Sequence, residues 1–464
     1  MATRRLSGLD AAYLAAETSD QPFHVMAALV LDPATVPGGY SFEAFRDFIA
    51  RRLDRVPPMR RRLVQVPLGL GRPRWVEEPG VDLDLHVHRA ALPAPGGARE
   101  LAALAAELDA HPLDRSRPLW EMHVVEGLEG GRLAVLAKLH HAMMDGVAGM
   151  QFMGAFFSRE PEAEEPPARP APAPDAAPGS VELLAGAIPE ALRRPLRLAR
   201  AGASTLRSAL RFGLRRAAGD AAAEPAARVP RTALNARASR HRIIAFTALP
   251  LDEVKDVGRA FGATVNDVVL AVVSGALRRY LGERGQLPEQ PLVAGVPAST
   301  HGEGDERANA YSLLFPSLAT HLGDPAERLR AIHEAAERAK GRLTLLGPEA
   351  LAEWSEVPSS LFLSLASRLY SGLRLFERIP LLCNVIVSNV PGPPVALHFA
   401  GARLLALHPL GPVYDGMILN VTTVSYEGTL HIGLVGTRDG LPHLWDLAGL
   451  FPEALAELAA RVPG

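Results

Sequence analysis

The reading turns on Lys138-Leu139-His140-His141-Ala142-Met143-Met144-Asp145-Gly146. Arg132 to Leu139 follows the Glu129-Gly130-Gly131 turn and reads as a strand that delivers two adjacent histidines at its end. A neutral imidazole near pH 7 can take a proton from an alcohol or amine, so a fixed histidine is the commonest general base. Asp145 follows closely enough to orient the His141 ring or pin the turn that carries it. From Val147 to Phe157 the chain is apolar almost all round, which predicts a buried helix, with Gly146 and Gly149 allowing close packing at its start. The pattern supports either the floor of a cleft or a buried polar corner.

Upstream, Pro118-Leu119-Trp120 opens a strand over Trp120 to Val125, and Arg99 to Leu108 reads as a helix. Ser41 caps a helix whose apolar side is Phe42, Phe45, Ile49 and Leu53. His24 to Leu31 is a strand that stops at Asp32-Pro33, and Leu6 to Leu14 a short helix. Arg60, Arg61 and Arg62 are either a solvated strand edge or a contact for an anionic group.

Downstream, the composition changes at Ser158. Residues 161–178 are rich in proline, alanine and glutamate, which describes a linker. Residues 181–217 then carry eight arginines, and no acid occurs from Ala191 to Gly219. Leu192, Leu196, Leu206, Leu210 and Leu214 make this a set of basic amphipathic helices, broken at Pro195 and Gly202. Such helices suit either an anionic lipid interface or a crossover between domains with arginines in water.

The second half restarts near Ser239 with a strand from His241 to Ala248 and a helix from Leu251 to Phe261 ending in Gly262. Thr264 and Asp267 are spaced as a capping box, which gives Asp267 a structural role. Asn266 shares a helix face with Val269, Leu270, Val273 and Leu277, so its amide starts a buried side. A helix from Asp324 to Arg342 follows, then a strand from Asn384 to Ser388 and a tight Asn389-Val390-Pro391-Gly392-Pro393 loop. Met417 to Tyr426 and Thr429 to Thr437 form a hairpin across Glu427-Gly428, and a helix over Leu447 to Ala459 closes the chain.

At 464 residues the chain has room for two or three domains. A net charge of −2 offers no general attraction to nucleic acid. Cys383 stands alone, which excludes a disulfide framework and a cysteine-based metal site. Its plain reading is a small buried hydrophobe. No signal peptide is apparent and no run of about 18 apolar residues occurs, so the expectation is a soluble cytoplasmic protein. Adjacent histidines point apart on a strand, and no third histidine or cysteine sits at ligand spacing, so no metal is expected at His140, His141 and Asp145. Two α/β halves therefore flank a connector, with boundaries at 1–157, 158–238 and 239–464. The antiparallel hairpins argue against a pure Rossmann sheet.

The His140-His141-x-x-x-Asp145-Gly146 pattern resembles the acyltransferases of the chloramphenicol-acetyltransferase-like fold. The order of the surrounding pieces sharpens the likeness. Leu6-Ser7-Gly8-Leu9-Asp10-Ala11-Ala12-Tyr13-Leu14, Pro118-Leu119-Trp120, Ala263-Thr264-Val265-Asn266-Asp267-Val268-Val269 and Ser388-Asn389-Val390-Pro391-Gly392-Pro393 together resemble the bacterial wax ester synthase/diacylglycerol acyltransferase family. The likeness covers nearly the whole chain outside residues 158–235.

This resemblance implies two α/β sandwich domains with mixed sheets flanked by helices and a tunnel at their interface. It implies transfer of a long-chain acyl group from coenzyme A to a diacylglycerol or a fatty alcohol, with acyl-CoA as co-substrate and no cofactor. His141 would be the base and His140 its supporting neighbour, while Asp145, held by an arginine, would fix the turn into Gly146. Trp120, Asn266, Asn420 and Thr422 are expected beside the substrate, the last three as candidate oxyanion donors. Pro118, Leu119, Asp267, Asn389, Pro391 and Gly392 would be structural. The basic stretch leaves peripheral attachment to a membrane or lipid droplet open. The alternatives are another alcohol or amine acceptor on the same fold, or a lipid-binding protein without turnover.

Overall fold

A computed structural model of the chain describes residues 4–78, 80–143, 146–161, 178–218, 228–299, 311–346 and 360–462. Asp145 and most of the Pro-rich linker lie outside the described residues.

Two mixed sheets organise the chain. The first has seven strands. In chain order these are β1 (His24–Asp32), β2 (Val87–Ala91), β3 (Trp120–Glu126), β4 (Leu133–His140), β5 (Phe157–Ser158), β10 (His398–Phe399) and β11 (Ala402–Leu410). Their spatial order is β2-β3-β4-β1-β11-β10-β5. The second has six strands: β6 (Arg242–Pro250), β7 (Ala294–Ser299), β8 (Tyr311–Leu314), β9 (Val385–Val390), β12 (Leu419–Tyr426) and β13 (Thr429–Thr437). These are ordered β8-β7-β9-β12-β13-β6, with β7, β9 and β12 parallel and the rest antiparallel.

Strand β4 is buried along its whole length, so the two sides of its pleat meet different partners. Leu133, Val135, Ala137 and Leu139 face the core built with α2 (Phe42–Arg52) and α4 (Gly146–Phe156). Ala134 and Leu136 face α3 (Ala98–Asp109). In the second sheet, Leu419 and Val421 point into a core covered by α7 (Val265–Gly282) and α10 (Leu444–Ala459). Thr264 and Asp267 do form a capping box, and Gly262 ends α6 (Leu251–Phe261) in the left-handed conformation that favours glycine.

Three features differ from the sequence reading. Strands β10 and β11, from the second half, hydrogen-bond into the first sheet, where β11 pairs with β1. The boundary at 239 therefore does not separate the two sheets. Gly433 permits this crossover, because a Cβ there would stand 1.9 Å from the Pro409 carbonyl oxygen. The basic segment is one helix, α5 (Ser180–Ala217), which runs through Pro195 and Gly202 instead of breaking. A proline in a solvated helix frees one carbonyl, which water can satisfy. Finally, Asn389 and Val390 belong to β9, paired with Thr423 and Val424, and not to the loop.

The arginine run is structural among the described contacts: Arg60 pairs with Asp54, Arg61 with Glu77 and Arg62 with Glu78. No single described helix is long and apolar enough to cross a membrane.

Candidate active site

The facing sides of the two sheets enclose a cavity of about 680 Å³. The first sheet contributes Val25, Ala27, Leu29, Ala137, Leu139 and Leu407, and the second Ile386, Ser388, Asn420, Thr422 and Val424. Register explains the second wall, since Ile386 lies beside Asn420, and Ser388 beside Thr422, on parallel strands. Phe152 and Met153 of α4 and Tyr414 add to a lining that is almost wholly apolar.

His141 stands on this wall, and His140 does not. The pleat separates them. His140 ends β4 on the α3 side with Lys138, while His141 opens a short 3-10 turn on the side of Leu139 and Ala137. His141 N–H donates to the Phe23 carbonyl at 2.8 Å, and its ring packs on Tyr13 with centroids 4.5 Å apart. Burial in this apolar setting, with His140 adding to the effect, lowers the His141 pKa to about 4. The ring is therefore neutral at pH 7, in the form a base needs.

His140 is a clamp. Its Nδ1 accepts the Ala142 N–H at 3.0 Å, so its proton resides on Nε2, which donates to Glu17 Oε2 at 2.9 Å. Its own N–H donates to the Leu119 carbonyl at 2.9 Å, which gives the Pro118-Leu119-Trp120 segment its place in the site. Glu17 also accepts from Arg115 at 3.0 Å. Burial alone would raise the Glu17 pKa, but the hydrogen bond from His140 and the charge of Arg115 help bring it to about 2.

Glu17 escaped the sequence reading. The available signal is its position just past the last residue of α1 (Gly8–Ala16), where an acid opposes the helix dipole and needs a tertiary reason. Arg115 supplies part of it by also donating to the Leu14 carbonyl at 2.6 Å.

The other expected residues are placed as follows. Asn420 and Thr422 line the cavity; Thr422 Oγ1 donates to Asn420 Oδ1 at 2.7 Å, and Asn420 Nδ2 donates to the Pro412 carbonyl at 3.0 Å. Gly411 makes room for this amide, because a Cβ there would come within 2.6 Å of it. Asn266 is half-buried at the start of α7 and does not line the cavity. Trp120, expected beside the substrate, is also absent from the wall. It is fully buried, stacks on His86 at 4.4 Å and donates from Nε1 to the Met59 carbonyl at 2.8 Å, because a tryptophan at a strand start needs a partner for its N–H. Asp267 binds His333 of α8 (Pro325–Leu346) at 2.8 Å besides capping α7.

Asn389 accepts from Thr423 Oγ1 at 2.9 Å. Pro391 and Gly392 reach the cavity, and a Cβ on Gly392 would stand 2.1 Å from the Ser425 carbonyl oxygen. Gly146 is the first residue of α4. Cys383 is buried at the cavity edge against Met417, and burial raises its thiol to about 12. It is therefore not a thiolate at neutral pH.

The chain and its fold have known counterparts. Residues 6–269 match the wax ester synthase/diacylglycerol acyltransferase catalytic domain, and residues 308–459 match the C-terminal domain of the same family. A Mycobacterium tuberculosis protein named as a diacylglycerol O-acyltransferase is 39% identical over 98% of this chain and 90% of its own length. The solved wax ester synthase/diacylglycerol acyltransferase from Marinobacter aquaeolei VT8 superposes with a TM-score of 0.67 at 30% identity, covering 99% of each chain. The starter condensation domain of rhizomide synthetase shares the fold, with a TM-score of 0.57 at 15% identity over 99% of this chain and 95% of that one. The chain belongs to the wax ester synthase/diacylglycerol acyltransferase family and is an acyltransferase.

Proposed function

We propose that this enzyme moves a fatty acyl group from the thioester of coenzyme A to the hydroxyl of a diacylglycerol or a long-chain alcohol, with His141 as general base. The observation that carries the reading is one neutral imidazole on the wall of a largely apolar cavity between two sheets.

The thioester carbonyl is already electrophilic, whereas the acceptor hydroxyl is not nucleophilic at neutral pH. His141 takes the hydroxyl proton as the C–O bond forms. A tetrahedral oxyanion results. The C–S bond then breaks, and the proton returns from the imidazolium to the departing thiolate. An imidazole of low pKa gives up its proton readily in that second step, while the developing oxyanion favours its protonation in the first. General-base assistance of this kind contributes about 10²–10⁴-fold. Asn420 is our candidate oxyanion donor, because it lines the cavity and Nδ2 spends only one of its two N–H groups on Pro412. Asn266, away from the wall, suits a structural part better. Both substrates can share the cavity, so transfer is direct and no acyl-enzyme is needed.

The apolar lining suits alkyl chains for both partners. The exposed leucines of α5 and the arginine-rich sequence of that helix support peripheral attachment to a lipid surface.

The test is CoA release from palmitoyl-CoA with and without an acceptor, with the ester product identified. We expect acceptor-dependent release that falls by about 10²-fold or more in His141→Ala. Equal activity in that variant overturns the assignment. Lipid binding without turnover in the wild type makes the chain a binding protein.

A further inference from the structure

Helix α9 (Ser360–Gly372) faces the wrong way for a helix on a protein surrounded by water. Two of its serines point inward: Ser367 Oγ donates to the Ala16 carbonyl at 3.2 Å, and Ser371 Oγ to Asp415 Oδ2 at 2.6 Å. Leu365 and Leu369 point outward. Leu365, Leu369 and, one residue past the end, Leu373 recur every four positions and are 55%, 49% and 55% exposed. An ordinary surface helix buries that stripe and hydrates the serines.

The stripe is part of a larger apolar face. Both α9 and α5 touch the turn at Pro67–Gly69. At the tip of that turn Leu68 is 78% exposed at a φ of 58°, a left-handed backbone that leucine adopts rarely. The first turns of α5 are anchored beside the same turn through Leu183 and Ala187 on Val66, and further along the helix Leu206, Leu210 and Leu214 are exposed. Leu382 connects this face to the chemistry, since it is 65% exposed and also lines the cavity.

Charge selects the occupant. Between Ser360 and Leu382 the chain has Arg368, Arg374 and Arg378 against one acid, Glu377, and α5 carries its arginines with no acid after Glu190. Arg374 pairs with Glu377, and exposed apolar side chains on segments with this excess of arginine suit the boundary between phosphate headgroups and acyl chains. A second copy of the same face would bring arginines against arginines.

We propose that α9, the Leu68 turn and α5 form a docking face for an anionic lipid surface, which seats the cavity mouth at Leu382 against the lipid. An acceptor dissolved in that surface then reaches the cavity without crossing water. The purpose of this face rests on the lipid-acceptor reading above; its binding does not.

The experiment uses the full chain and two sets of vesicles, phosphatidylcholine alone and phosphatidylcholine mixed with phosphatidylglycerol. Flotation measures binding. In parallel, CoA release is followed with a short-chain alcohol dissolved in buffer and with vesicle-borne diacylglycerol. We expect the wild type to float with the anionic vesicles and only weakly with the neutral ones. Leu68→Ser/Leu365→Ser/Leu369→Ser should weaken binding by about tenfold or more, since it removes apolar contact from the interface. The variant should keep its turnover of the dissolved alcohol and lose turnover of the vesicle-borne acceptor.

Undiminished flotation of the triple variant overturns the proposal, as does a wild type that floats with neither vesicle. A wild-type dimer that the triple variant dissociates, seen by light scattering, assigns the face to a second copy and also overturns it. A wild type that floats as expected but turns over no alcohol supports the docking face and removes the acyl-transfer mechanism instead.

Discussion

Glu17 and His140, 123 positions apart in sequence, are joined by a 2.9 Å hydrogen bond from His140 Nε2 to Glu17 Oε2. The bond fixes the tautomer of His140, whose Nδ1 is then free of a proton and accepts the Ala142 N–H. The backbone on both sides of His141 is thereby held, from Leu119 through His140 and from Ala142 through the same ring. The proposed base is positioned by its neighbour, and the neighbour by an acid at the end of α1.

Removing that acid should act on turnover more than on substrate binding, because Glu17 is absent from the cavity wall. Glu17→Ala leaves the buried Nε2–H of His140 without its acceptor, a penalty of about 1–3 kcal/mol. We expect lower thermal stability of that order and a reduced kcat with little change in KM. Glu17→Gln keeps a carbonyl acceptor and should recover much of the loss. An unchanged kcat in Glu17→Ala removes Glu17 from the positioning role.

His141 sets the acid limb of the pH profile. A base works in its neutral form, and burial holds this one at about 4. Activity should therefore stay level from pH 8 down through 6 and fall only as pH approaches 4 to 5, well below the ordinary imidazole value of about 6.5. Steady-state rates, with return to pH 7 to correct for unfolding, check this. An acid limb centred at the ordinary value contradicts the burial argument.

Gln21 and Asp415 latch the loop that carries Glu17 and Phe23 to the second half of the chain. Gln21 Nε2 donates to Asp415 Oδ2 at 2.9 Å, and the Asp415 N–H donates to Gln21 Oε1 at 2.9 Å. Ala238 N–H and Ser371 Oγ complete the partners of the aspartate. A double-mutant cycle with Gln21→Ala and Asp415→Ala should give a coupling energy of about 0.5–3 kcal/mol in denaturant melts. Strictly additive losses would show that the two residues act independently.

His408 on β11 and His431 on β13 sit where the two sheets cross, with ring centroids 5.3 Å apart, and Phe246 stacks on His408. Burial lowers both, His408 to about 3 with help from His431, and His431 to about 4. The unfolded chain binds these protons more readily than the folded one between those values and about 6.5. Their contribution to stability is therefore complete above pH 6.5 and is lost as the pH falls towards 3. Melting temperature should drop over that window, and His408→Phe should flatten the slope. An unaltered slope in that variant means other groups govern acid stability.

Much was readable from residues alone. Local rules sufficed for the Thr264 capping box, the Gly262 helix stop, the buried β4 strand and the two faces of the His140-His141 pair, because each is settled by neighbours within a few positions. The family followed from the order of short motifs. Periodicity did not reveal that β11 leaves the second half to pair with β1, since a strand's pattern carries no address for its partner. It gave no hint that Trp120 packs on His86 instead of the cavity, or that α5 continues past Pro195.

The sequence by itself determined that a histidine pair would arrive at the end of one buried strand with its two rings on opposite sides. Only the tertiary structure decided that Glu17 and Gln21 hold it, that Asn420 shares the cavity of His141 and that α9 turns Leu365 and Leu369 outward. The physical reason is that hydrogen bonds across 123 or 394 positions, and the exposure of a side chain, are set by how distant segments pack. No local pattern of polarity encodes that packing.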